Sequence, residues 1–271
     1  MPNLFLFLLA IFSTLLIGGL IYSLSIISIL LAHEMGHYLA SRRYRVSSSL
    51  PYFIPFPLPP FGTLGAIIKT KGAIPDRKAL FDIGAWGPLF GLLLAIPAVV
   101  VGLSLSEVVD VSRLPANSLV LGNPPLFSLL QKLVLGNLPP DTDVVLHPVA
   151  YAGWVGLFVT ALNLLPAGQL DGGHIIYSLF GPYSKFIFRL TLLGITLICL
   201  IYNLGWLLLV VILLFIGYRH PPTLDDHTPL DRRRKITGVF TFLILFTTFT
   251  PVPFPSFALG IKELLKPWLS L

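Results

Sequence analysis

The chain has 271 residues and a mean hydropathy of +0.86, and charged residues make up 11% of it, against roughly 25% in an ordinary soluble domain. That composition excludes a water-soluble globule and leaves no room for a separate soluble domain of ordinary size, so residues 1–271 read as a single transmembrane domain. The net charge of +6 does not call for nucleic acid, because the basic residues are split among loops with no aromatic-interleaved surface around them.

Residues 1–20 are apolar, yet no Lys or Arg precedes Arg42 and no small-residue cleavage pattern follows, so this stretch reads as a retained first span and not a secretory signal. The apolar run continues to Tyr38, too long for one helix, and Gly18-Gly19 divides it into spans at about 4–20 and 22–42. Next comes an uncharged stretch, 47–68, in which Pro51, Pro55, Pro57, Pro59 and Pro60 forbid a regular helix. Its aromatics Tyr52, Phe53, Phe56 and Phe61 favour a greasy setting. Residues 47–79 are therefore expected to form a re-entrant or interfacial loop on the cytoplasmic side, and 104–146 an external loop with a short interfacial helix near 126–135.

Further spans are expected near 80–103, 147–165, 183–201, 204–218 and 236–250. The fold class is thus an all-α polytopic membrane protein with about seven transmembrane helices and a short membrane-associated β hairpin or strand. One side of this arrangement collects Arg42, Arg43, Arg45, Lys69, Lys71, Arg77, Lys78, Lys185, Arg189, Arg219, Arg232, Arg233, Arg234 and Lys235, and the other only Arg113, Lys132, Lys262 and Lys266. This asymmetry orients the N-terminus to the cytoplasm. Cys199 is the single cysteine and reads as a core residue.

Residues 32–37 read A-H-E-M-G-H. On a helix the i, i+4 spacing puts His33 and His37 on one face, where they can chelate a metal, with Glu34 beside them as a candidate base. Two histidines and a glutamate in an apolar span are costly unless they serve a function. Neutral imidazole and carboxylate suit tetrahedral zinc, and a hydrolytic site needs three protein ligands and a water. His147, Asp82, Asp171 and His174 are the candidates for the third. Asp171 is the best, since Pro166 and Gly168 break the helix before it and let it turn inward, and two neutral histidines, one aspartate and a hydroxide leave zinc formally neutral. Asn163, eight residues earlier, is either an oxyanion donor or an ordinary interhelical hydrogen bonder. His174 reads as a satisfied interfacial histidine. His220, Asp225, Asp226 and His227 have no helical spacing and read as a solvated loop.

With H-E-M-G-H at 33–37 and N-L-L-P-A-G-Q-L-D-G-G-H from Asn163 to His174, the chain resembles the site-2 protease family of intramembrane metalloproteases over most of its membrane core. The resemblance implies one Zn2+ per chain held by His33, His37 and Asp171, with Glu34 as catalytic base and Asn163 steadying the intermediate. Residues 76–91, containing Gly84, Gly87 and Gly91, resemble another core segment that supplies no ligand but lets helices approach closely. One departure stands at Gly168, where many family members carry a second proline. Peptide-binding or nucleotide-sensing accessory domains, frequent in the family, are expected to be absent.

The expected activity is hydrolysis of peptide bonds within or near transmembrane segments, by water that reaches the site from the cytoplasmic face. The partners are then the lipid bilayer and a membrane protein presenting an unwound transmembrane segment, because a helix hides its peptide bonds. Residues 61–68 are a candidate edge strand for pairing with it, with Gly62, Thr63, Leu64, Gly65 and Ala66 as the substrate-binding residues. The expected location is a prokaryotic cell membrane. The alternatives are a non-catalytic metal-binding membrane protein, against which Glu34 argues, and a transporter, against which the convergence of the polar groups on one place argues.

Overall fold

The structure, a computed structural model, describes residues 2–115, 118–216 and 220–257. Arg219, Lys262 and Lys266 of the charge count, and the end of the span expected at 204–218, lie outside the described residues. Helix α1 (Pro2–Arg43) is interrupted at Gly19, whose φ of 75° and ψ of −177° are not helical. Nine residues of straight helix would set Thr14 and Ser23 about 13 Å apart, yet their hydroxyl oxygens are 2.7 Å apart. The two arms therefore fold back on each other where the paired glycines suggested a break, and only glycine takes such a backbone without strain.

The chain then runs through a long antiparallel ribbon. Its base pairs β1 (Ser47–Ser48) with β4 (Thr70–Lys71), and its upper part pairs β2 (Tyr52–Pro55) with β3 (Thr63–Ile67) in the register Phe53 to Ala66. At the tip, hydroxyls of the surrounding helices reach the ribbon's carbonyls: Ser13 donates to Gly62 O at 2.6 Å, beside the Phe56 N–H, Tyr22 to Phe61 O at 2.7 Å and Tyr151 to Pro60 O at 2.7 Å. Such donors are obligatory where water is excluded. The ribbon thus inserts among the helices.

Asp76 caps α2 (Arg77–Ser104), accepting from the Ala79 N–H at 2.8 Å. On the far side, β5 (Glu107–Asp110) pairs with β6 (Thr142–Val145), and α3 (Pro125–Leu135) buries Phe127. Helix α4 (Pro148–Asn163) is the centre of the bundle. Its Trp154 is buried and donates to Gly122 O at 2.8 Å, and Gly102 and Gly153 let α2 and α4 cross at backbone contact. After it come α5 (Asp171–Phe180), α6 (Ser184–Ile201), α7 (Leu207–Ile216) and α8 (Arg232–Thr248). Pro2–Arg43, Arg77–Ser104 and the stretch Asp171–Ile201 are long and apolar enough to cross a membrane, while Pro125–Leu135, Pro148–Asn163 and Leu204–Phe215 are shorter apolar helices. The chain is a mostly helical membrane protein with short strands. Helix α5, which no expected span covered, starts at Asp171, directly after the break at Pro166 and Gly168.

The start of α8 is pinned to α2. Arg234 donates through Nε and Nη2 to the two oxygens of Asp82, at 2.8 and 2.6 Å, and Tyr44 donates to Asp82 at 2.5 Å. Burial and the Asp82 carboxylate push the Tyr44 hydroxyl up to about 12, so it stays a donor. Arg234→Gln is expected to destabilise the fold by roughly 3 kcal/mol, because the buried Asp82 carboxylate then keeps little beyond Tyr44 to balance it. Thermal unfolding in detergent measures this, and an unchanged midpoint would contradict it.

Candidate metal centre

His33 and His37, one turn apart on the second arm of α1, are both buried. Their Nε2 atoms are 3.1 Å apart, and Asp171 closes the triangle with Oδ2 3.2 Å from His33 Nε2 and Oδ1 3.3 Å from His37 Nε2. Ligands at zinc's bond lengths of about 2.0–2.1 Å from a tetrahedral centre stand about 3.3 Å from one another, so the three edges fit that ion. Asp171 Oδ2 is buried without a hydrogen-bond donor, and its closeness to the His33 nitrogen is a contact between would-be ligands. Among the described residues this is the one group of three such side chains whose ligand atoms converge.

The surroundings orient these ligands. His37 Nδ1 lies 2.7 Å from the Ile83 carbonyl, an acceptor that places the ring proton on Nδ1 and leaves Nε2 free for a metal. Asp171 is the first residue of α5, where the helix N-terminus favours its charge. Gly172 and Gly173 allow α5 to start against the carbonyls of Leu164, Leu165, Ala167 and Gly168. Gly168 has a φ of +51°, which proline cannot adopt, so this turn is built differently from one with a second proline. On α2, a Cβ at Gly87 would overlap the His37 ring, one at Gly91 would lie 3.2 Å from His33 Nδ1, and one at Gly84 would lie 2.8 Å from the His174 Cβ. The close approach read from these glycines is real, but what approaches is imidazole as much as helix.

A cavity of about 180 Å³, with room for several waters, opens beside the three ligands and is lined also by Glu34, Asn163, Gln169 and His174. Glu34 is buried and receives the backbone N–H of Ile68. Asn163, the last residue of α4, has its Nδ2 3.3 Å from His33 Nε2. From the ribbon, Ala66, Ile67 and Ile68 reach the cavity. Leu64 is 59% exposed, but Gly62 and Thr63 are turned inward, Gly62 against the backbone of Thr14. Of the five ribbon residues expected to meet substrate, those two are thus committed to the protein itself.

His174 was expected to be a satisfied interfacial histidine, and its partner is one that chain order hid. Its Nδ1 is 2.6 Å from Nε2 of His220, 46 residues away, and His220 also stacks on Tyr177 with ring centres 4.6 Å apart. Burial lowers the His220 pKa, so it pairs as a neutral ring. Nearby, Asp226 accepts from Tyr177 at 2.6 Å, and Leu224 and Asp225 donate backbone hydrogen bonds to Ile74 and Pro75. The 220–228 stretch is therefore a strap across α5 and the start of α2, in which His220 and Asp226 are tied down while Asp225 and His227 stay exposed, as expected of a solvated loop. Gln169 in the cavity wall was also missed; a glutamine in a turn carries no spacing signal.

The model of Peptidase family M50 matches residues 21–201, a region that contains all three candidate ligands and Glu34. The chain belongs to this family. Curated relatives include the probable chloroplastic zinc metalloprotease EGY1 of Oryza sativa subsp. japonica, 37% identical over 84% of this chain and 40% of the relative. EGY1 of Arabidopsis thaliana is 35% identical over 82% of this chain and 41% of that protein, and EGY2 of Arabidopsis thaliana 30% identical over 82% and 40%. This M50 chain spans about 40% of the length of these relatives. No solved structure matches it. The relatives are chloroplast proteins of plants, so the expectation of a prokaryotic cell membrane finds no support among them. Their names specify zinc, the ion that the donor set and its spacing here fit.

Proposed function

We propose that the protein is a zinc-dependent intramembrane endopeptidase that cuts transmembrane segments of other membrane proteins. The observation that carries this reading is the buried triangle of His33, His37 and Asp171 with Glu34 on the wall of the same cavity. Zinc held by the three ligands would supply a Lewis acid that polarises a carbonyl and acidifies a water. Glu34 would take the proton from the attacking water and pass it to the amide nitrogen as the C–N bond breaks, giving one carboxylate and one amine. Asn163, whose amide stands between α4 and His33, would donate to the oxyanion. The site would open toward the basic face of the membrane, since His37 lies five residues, about 7 Å of helix, from Arg42. About seven membrane crossings would give this orientation.

The substrate segment would arrive unwound and lie along β3, with Ala66 beside the reacting bond and Leu64 on the outer face. Leu64 has no partner in β2, falling at the register shift between Phe53 and Pro55, so proline there removes a donor without touching that pairing. Leu64→Pro is expected to slow cleavage at least tenfold while zinc content stays the same; undiminished cleavage would remove β3 from the substrate path. The proposal itself is tested with the purified full chain and a tagged transmembrane substrate. Cleavage should stop after treatment with a zinc chelator and return on adding zinc, and cleavage that persists in metal-free protein would overturn it.

A further inference from the structure

A cavity of about 690 Å³ lies outside the metal centre, between the end of α1, the first half of α2 and the start of α8. Its rim carries Arg43, Arg232 and Arg233, and its wall is apolar, with Phe81, Trp86 and Leu89 descending along α2. Phe81 to Leu89 covers about 12 Å of helix axis, so the cavity is basic at the membrane surface and apolar below it. Two carboxylates also line it, but Asp82 is committed to Arg234 and Tyr44, and Asp231 caps α8 and pairs with Arg234. Arg43 stacks over Trp86, 5.9 Å from the ring centre. Among the described residues no carboxylate pairs with Arg43, Arg232 or Arg233.

We infer that this cavity binds the phosphate headgroup of an anionic membrane lipid, with an acyl chain lying along the groove between α2 and α8. Three arginines without carboxylate partners gathered around one cavity are more than orientation requires, since orientation depends on basic residues being on that side and not on their convergence. Guanidinium is suited to phosphate oxygens, and a basic pocket between helices at the surface of a span is the arrangement that holds anionic headgroups. The apolar lower wall separates this from a site for free phosphate. The neighbouring α8 face is exposed at Ile236, Val239 and Phe240, a surface made for acyl chains.

Native mass spectrometry of the full-length protein in detergent, titrated with an equimolar mixture of phosphatidylglycerol and phosphatidylcholine, tests this. One phosphatidylglycerol should be retained in preference, and R232Q/R233Q should weaken its retention about thirtyfold, at one surface charge's contribution per arginine. The control pair R113Q/K132Q, on the opposite side, should leave it unchanged. Zinc content and monodispersity of both variants check that folding is intact. Equal retention of the two lipids, or unchanged phosphatidylglycerol retention in R232Q/R233Q, would overturn the inference. So would displacement of the lipid by inorganic phosphate at matching concentration.

Discussion

Replacing Glu34 with glutamine is expected to abolish peptide hydrolysis while leaving zinc in place. Glu34 lies between the two histidines in sequence but takes no part in the ligand triangle. Its carboxylate lines the cavity and meets the Ile68 N–H. Glutamine keeps the side-chain volume and an oxygen to accept from Ile68, but it cannot take up a proton at neutral pH. Loss of a general base in such a site lowers the rate by roughly 10²–10⁴. The measurement is cleavage of a transmembrane substrate by parent and variant at equal zinc content. Equal rates would end the catalytic assignment, and loss of zinc would show that Glu34 supports the metal and is not merely its neighbour.

Gly87→Ala is the second change with a large expected effect. A methyl group at 87 would occupy the space of the His37 ring. His37 cannot swing aside without leaving the Ile83 carbonyl and its place in the triangle, and the α2 backbone is held at Gly36 by contact with Trp86. Disturbing a ligand's orienting partner typically lowers metal affinity 10–100-fold, and overpacking adds about 1–3 kcal/mol of destabilisation. Zinc content after dialysis against a graded chelator, together with the thermal midpoint, reads both effects. Gly194→Ala is the matched control: it is a helical glycine with open space at the Cβ position, so zinc binding should be unaffected. If Gly87→Ala binds zinc as the parent does, the glycine serves helix contact alone.

These two residues also mark what could be read from the chain and what could not. The pairing of His33 with His37 follows from helical spacing, and the reversal near Gly18-Gly19 from the length of one apolar run. The third ligand needed charge arithmetic and resemblance, because Asp171 is 134 residues beyond His37 and nothing local ties them. The part of Gly87 was half legible: its spacing announced a close approach, but the object approached belongs to another helix. Arg234 was explained too easily by membrane orientation, which accounts for any arginine on that side and so hid its bond to Asp82. His220 was dismissed for lack of periodicity, a criterion blind to a strap whose partners, His174 and Tyr177, lie on a different helix. The ribbon was recognised from its prolines as non-helical, but its place among the helices depends on Ser13, Tyr22 and Tyr151, hydroxyls on three separate stretches of helix.

The reversal at Gly19 shapes one end of the bundle. Two arms joined through one non-helical residue, with Thr14 and Ser23 hydrogen-bonded across the turn, leave no room for a solvated loop between them. They form one wedge with glycine at its tip. The tip carries no charge, and the nearest basic residues, Arg42, Arg43 and Arg45, lie at the wedge's open end. There Asn3 donates its amide to the Leu50 carbonyl at 2.7 Å, which ties the start of the first arm to the chain that leaves the second.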